Sequence, residues 1–85
     1  MYIVRWNETE SMPYDVYGFD TLAEARDCAV EQLRIWKDQD WEHPRPCTIN
    51  APAHSIRAWE VKKYGGVRYC TYGNMVIVIG WAEGE

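Results

Sequence analysis

The chain has a single phenylalanine, no two cysteines close together, no excess of basic residues, and no apolar run longer than Met75–Ile79. A run of that length falls far short of the roughly 20 apolar residues that a membrane helix needs, so nothing in the sequence points to a membrane. Structural zinc sites rest on closely spaced ligand pairs such as Cys-x2-Cys, and none occurs. Gly-x-Ser-x-Gly, a phosphate-cradling glycine loop and a paired-carboxylate motif are missing as well, so the expectation is a protein that is not an enzyme and holds no cofactor or metal. A net charge of −4 opposes generic binding to nucleic acid, where basic residues supply most of the affinity. The three thiols, Cys28, Cys47 and Cys70, are odd in number and widely spaced, and the first residues are strand-like rather than signal-like. Together they predict reduced cysteines in a cytoplasm.

What the chain does have is indole and phenol: five Trp and six Tyr in 85 residues. These rings join a large apolar body to a polar tip and suit partly exposed positions and interfaces, although a small core also uses large rings to good effect. The length allows one domain, residues 1–85, with one core.

Met1 to Trp6 is rich in β-branched and aromatic residues and predicts a first strand. Asn7 to Met12 reads as a loop, and Tyr14 to Phe19 as a brief extended segment shortened by Gly18. Thr21-Leu22-Ala23-Glu24 fits a capping box and predicts a helix from Leu22 to Lys37 or Asp38. Leu22, Ala25, Ala29, Leu33 and Trp36 recur at three- and four-residue spacing as its buried stripe, and Glu24, Asp27, Glu31, Arg34 and Asp38 form its wet side. Gln39 to His54 holds Pro44, Pro46 and Pro52 and reads as a long loop of the functional or mobile kind.

Three runs follow, Ser55–Tyr64, Val67–Tyr72 and Met75–Ala82, separated by Gly65-Gly66 and Gly73-Asn74. Read as two-residue hairpin turns, these dipeptides predict an antiparallel meander. Alternation then puts Trp59, Val61, Cys70, Tyr72, Met75, Ile77, Ile79 and Trp81 on the face that receives the helix. The other face carries Val67, Tyr69, Val76 and Val78 and is apolar enough at its centre to ask for a cover, for instance a second copy of the chain. The expected fold is α+β in the order β-α-β-β-β: one four-stranded sheet on one helix, with the first strand beside the last. The strand Met75–Ala82, apolar on both faces, takes the centre. The direction of the terminal pair stays open, with a helical crossover favouring parallel.

Three surfaces offer chemistry. The wet side of the helix, Glu24, Asp27, Glu31 and Asp38, continues into a proline-rich loop with Trp41 and His43; with Tyr64 and Tyr69 it reads as a docking surface for a basic protein, such as a nucleic-acid-binding enzyme. The basic aromatic segment 62–69, with Lys62, Lys63, Tyr64, Arg68 and Tyr69, is the alternative: a nucleic-acid-binding hairpin that resembles the RNP1 signature but lacks its first glycine and has Val67 at an aromatic position. A Cys47 nucleophile or zinc ligand assisted by His43 or His54 is the weakest-motif option.

The segment from Tyr14 to Arg26, Tyr-x-Val-Tyr-Gly-Phe-Asp-Thr-Leu-Ala-Glu-Ala-Arg, followed by one helix and a meander, resembles small proteins encoded by phages and mobile elements. Among them, anti-CRISPR proteins are similar in size, acidity and single-domain build. The resemblance is one of build and assigns no residue. It implies stoichiometric inhibition of a bacterial defence nuclease complex by masking a surface, in the cytoplasm of a bacterial host.

Overall fold

A computed structural model describes residues 1–6 and 15–83. The expected loop Asn7–Met12 and the residue Tyr14 lie outside the described residues. The elements are β1 (Tyr2–Trp6), β2 (Asp15–Phe19), α1 (Leu22–Gln39), β3 (Cys47–Ile49), a 3-10 turn (Ala53–Ser55), α2 (Ala58–Tyr64), β4 (Gly66–Tyr72) and β5 (Met75–Trp81). The class is α+β, with a fully antiparallel five-stranded sheet in the order β2-β1-β5-β4-β3.

Helix α1 forms where the capping box lies. Thr21 Oγ1 accepts the Glu24 N–H at 3.2 Å and donates to the Glu24 carboxylate at 2.9 Å, fixing the first turn. Ala25, Ala29, Leu33 and Trp36 are buried and Leu22 is partly so, as the spacing predicts. They pack on Tyr2, Val4 and Trp6 of β1, Cys70 and Tyr72 of β4, and Met75, Ile77 and Ile79 of β5, and Ile56 and Val61 complete the same core. Both helices thus cover one face of the sheet. The alternation of buried and half-exposed residues along β5 leaves Ile3, Val16, Val76 and Val78 on the other face.

The hairpin at Gly73-Asn74 sets Tyr72 opposite Met75 and Cys70 opposite Ile77, and β5 sits centrally between β1 and β4, both as expected. Gly73 takes φ 60°, a left-handed conformation that glycine adopts without a Cβ penalty.

Three expectations are corrected, and the direction of the terminal pair, left open by the sequence, is antiparallel. Ser55–Tyr64 is not a strand but a 3-10 turn followed by α2, which gives two helices. Gly65, with φ 77°, is its left-handed C-cap, and Gly66 opens β4, so the pair is a helix stop rather than a hairpin turn. Trp59 accordingly points outward, 60% exposed, while Val61 is fully buried. The sheet has five strands instead of four, because Asp15–Phe19 pairs with β1 and Cys47–Ile49 pairs with β4 inside what reads as a structureless loop. The terminal strands β1 and β5 run antiparallel: the element that follows α1 is β3, at the far edge of the sheet, so no crossover places a parallel neighbour beside β1. Finally, the register between β4 and β5 slips between Arg68 and Cys70, and this bulge turns Tyr69 toward the helices and Val67 opposite Ile79 on the core face, reversing the face that strict alternation assigns to both.

Candidate protein-binding groove

The short strand β3 pairs on one side only. Gly73 N–H donates to the Pro46 carbonyl at 2.8 Å and Asn50 N–H to the Tyr69 carbonyl at 2.9 Å. In an antiparallel ladder, bonding pairs alternate, so Thr48 also turns its polar backbone toward β4 while Cys47 and Ile49 turn theirs outward. Those outward N–H and C=O groups lie on the open edge of the sheet.

Beside this edge runs a groove of about 280 Å³ lined by Val30, Leu33, Arg34 and Lys37 of α1, Ile49 of β3 and Tyr69 of β4. Its floor is Leu33 and Tyr69, both buried, and its lips are the exposed Val30 and Ile49. The bulge at Arg68/Cys70 creates the floor by directing the Tyr69 ring under β3, and burial pushes the Tyr69 phenol upward in pKa. The Tyr69 carbonyl accepts from both Asn50 (2.9 Å) and Ala51 (3.2 Å), which holds the end of β3 against the bulge.

Glu24, Asp27, Glu31 and Asp38 recur at three-, four- and seven-residue intervals, so they share an outward stripe of α1, and Glu31 and Asp38 reach the groove through their contacts with Arg34, which lines it. Arg34 stands within that stripe. It is hydrogen-bonded to Glu31 and lies 2.7 Å from Asp38, and the Glu31 carboxyl is held below its ordinary pKa by this hydrogen bond. Lys37 makes no ion pair among the described residues and lies on the groove's rim. Residues 20–42 still carry seven carboxylates against three bases.

The remaining docking residues separate. Trp41 and His43 are exposed in the turn after α1, with Trp41 74% accessible. They adjoin a polar cleft of about 210 Å³ lined by Trp36, Gln39, Asp40, Arg45 and Met75, where Arg45 Nε is 3.4 Å from Asp40 Oδ2. Tyr64 is also exposed but is the last residue of α2, close in sequence to Gly66, which pairs with Gly80. That is the other end of β5, a strand spanning about 20 Å, so one small contact does not cover Trp41 and Tyr64 together. Tyr69 does not serve as an exposed ring, since it is 6% accessible and belongs to the core. The groove itself escapes sequence reading because β3 lies in the proline-rich stretch; the apolar Ile49 between Thr48 and Asn50 is its one sequence signal.

The basic segment 62–69 is the end of α2 and the start of β4 rather than a hairpin. Arg57, Lys62, Lys63 and Arg68 oppose Glu60 there. The Lys62 ammonium lies 4.7 Å from the Trp81 ring and 5.8 Å from Tyr2, and that of Lys63 lies 5.5 Å from Tyr64.

Among the described residues, no three His, Cys, Asp or Glu side chains come together as metal ligands, and no helix is long and apolar enough to cross a membrane. Cys70 is sealed in the core, where burial pushes its thiol up to about 12, and burial also raises Cys28. Cys47 is the exposed thiol, on the edge strand. Comparison of the chain with protein-family models, curated proteins and solved structures finds no match.

Proposed function

We propose that this chain is a non-enzymatic protein-binding module that takes an extended segment of a basic protein along the open edge of β3. The observation that carries this reading is the coincidence, on one edge, of outward-facing backbone groups at Cys47 and Ile49 with an apolar groove and an acidic helix stripe. Strand addition draws affinity from main-chain hydrogen bonds and specificity from pockets that take alternate side chains. An incoming strand bonded to Cys47 and Ile49 presents an apolar side chain to Val30, Leu33, Ile49 and Tyr69. Basic residues flanking that side chain meet Glu24, Asp27, Glu31 and Asp38, which speeds encounter and selects partners of positive charge. The likeness in build to anti-CRISPR proteins supports taking the partner from the nucleic-acid-binding enzymes of a bacterial defence complex, inhibited stoichiometrically in the host cytoplasm.

The test is capture from a nuclease-treated bacterial lysate with tagged wild-type chain and tagged Ile49→Pro. Proline at this position removes an outward N–H without deleting a bond to β4, a placement that edge strands tolerate. A stoichiometric partner that is held by wild type and lost by Ile49→Pro and by Val30→Glu supports the reading; equal capture by all three refutes it.

The second reading, nucleic-acid binding through α2, draws on the concentration of Arg57, Lys62, Lys63 and Arg68 beside the exposed rings of Trp59 and Tyr64. It requires salt-sensitive binding that disappears in Lys62→Ala/Lys63→Ala. The two lysines already lie over aromatic rings, an arrangement that occupies their charge within the fold.

A further inference from the structure

The opposite edge of the sheet carries a different geometry. The Met1 amine donates to the Ala82 carbonyl at 2.8 Å and Ala82 N–H to the Met1 carbonyl at 3.0 Å. Met1, Ile3 and Arg5 therefore face β5 with their backbones, and Tyr2, Val4 and Trp6 face β2. The register of β1 with β2 sets Tyr2, Val4 and Trp6 opposite Phe19, Tyr17 and Asp15. The backbone groups of Val16 and Gly18 consequently point away from the sheet, and no other described strand pairs with them.

This edge has few of the devices that keep strands from meeting. Its sequence, Asp-Val-Tyr-Gly-Phe, holds no proline or lysine, and its one charge is at the end. Val16 and Tyr17 are 56% and 49% exposed. The strand is also complementary to itself. If two copies run antiparallel with Tyr17 on a two-fold axis, Val16 of each faces Gly18 of the other, and these are the residues whose N–H and C=O groups point outward. Both Val16/Gly18 pairs then exchange two hydrogen bonds, and the only charge of the strand, Asp15, faces Phe19 rather than a like charge.

The side chains agree with that register on both faces. On the helix side, Tyr17 is stacked on Trp6 with ring centroids 4.9 Å apart and an interplanar angle of 16°. A non-hydrogen-bonded pair at the axis brings the two Tyr17 Cβ atoms to about 4.5–5.5 Å, which continues the stack across the junction. On the other side, Met1 lies directly over Gly18, where a Cβ would collide with its sulfur. The half-exposed Met1 side chain thus occupies the space above Gly18 and becomes the apolar surface against which Val16 of the second copy packs.

We propose that the chain forms a symmetric dimer through β2, pairing with β2 of a second copy so that the two five-stranded sheets become one continuous sheet. A two-fold edge contact closes on itself and leaves β3 and its groove free at both outer ends. The association is of the weak, concentration-dependent kind expected for an interface below roughly 1,200 Å².

Sedimentation velocity of the full chain over about a hundredfold range of concentration reads the equilibrium. The proposal expects the mass to rise from one chain to two and stop there. Val16→Pro removes an outward donor but no bond to β1, and is expected to stay monomeric at every concentration while its far-UV circular dichroism matches wild type. Tyr17→Cys in a Cys47→Ser background is the second arm, expected to yield a disulfide-linked dimer on mild oxidation in high proportion. This arm stands whether or not Val16→Pro folds. A wild-type chain that remains a monomer throughout overturns the proposal. So does a dimer that survives Val16→Pro but dissociates on Val78→Lys, which would move the contact to the open sheet face.

Discussion

Raising the pH through the alkaline range is a direct probe of how the sheet and α1 enclose Cys70. This thiol is wholly inaccessible, and burial is the main reason its pKa is pushed up to about 12 from an ordinary 9, with Cys47 adding to the rise and Lys37 and the Ile77 backbone opposing it. Below pH 9, both folded and unfolded chains keep the proton, and the thiol contributes nothing to the pH dependence. Between 9 and 12, the unfolded chain releases the proton while the fold retains it. The unfolded state then binds fewer protons, so stability falls with pH by about 1.4 kcal/mol per unit. By pH 11 the loss is on the order of 3 kcal/mol, to be set against a total of about 4–13 kcal/mol for a chain of 85 residues. Burial raises Tyr69 as well, and its loss, beginning near pH 10, has the same sign. Urea midpoints followed by tryptophan fluorescence from pH 8 to 11, for wild type and Cys70→Ala, isolate the thiol's share. The reasoning fails if both chains show the same alkaline slope, or if iodoacetamide labels Cys70 in the folded protein as fast as Cys47.

Further outcomes follow from single contacts. Thr21→Ala removes the cap of α1 and is expected to lower stability by about 1 kcal/mol in urea denaturation, with Thr21→Ser restoring most of it. Gly73→Ala places a side chain at φ 60° and against Arg45, costing about 1–2 kcal/mol by the same assay. Arg34→Ala breaks two exposed ion pairs and is expected to leave the urea midpoint essentially unchanged, yet it makes the acidic stripe more negative, so stopped-flow association with a basic partner should quicken at low salt.

The parts of the fold that are legible in the sequence are those where local chemistry and tertiary packing agree. Thr21 and Glu24 cap a helix whose apolar spacing matches its buried face, and Gly73-Asn74 fixes a register that needs no distant contact. Ser55–Tyr64 reads differently because Gly65-Gly66 suits either a hairpin or a helix stop, and Ile56, Trp59, Val61 and Tyr64 are residues that strands favour. The helix wins through Ile56 and Val61, which both reach the core from one side, with Arg26 bonding the Ile56 carbonyl and Lys62 and Lys63 in the last turn. β3 is invisible locally, since its three residues lie after Pro46 and owe their conformation to β4. The acidic stripe of the candidate site is readable from helical spacing. The groove depends on a bulge at Tyr69, and no pattern of alternation announces a bulge.

Amide hydrogen exchange at single residues tests the open β3 edge most directly. In the free chain, the account requires a slow Thr48 amide between fast amides at Cys47 and Ile49, and protected amides along 61–64 where α2 replaces a strand. Addition of the captured partner should slow Cys47 and Ile49 and leave 61–64 unchanged. Slow exchange at Cys47 and Ile49 in the free chain, or protection by the partner confined to α2, would contradict it.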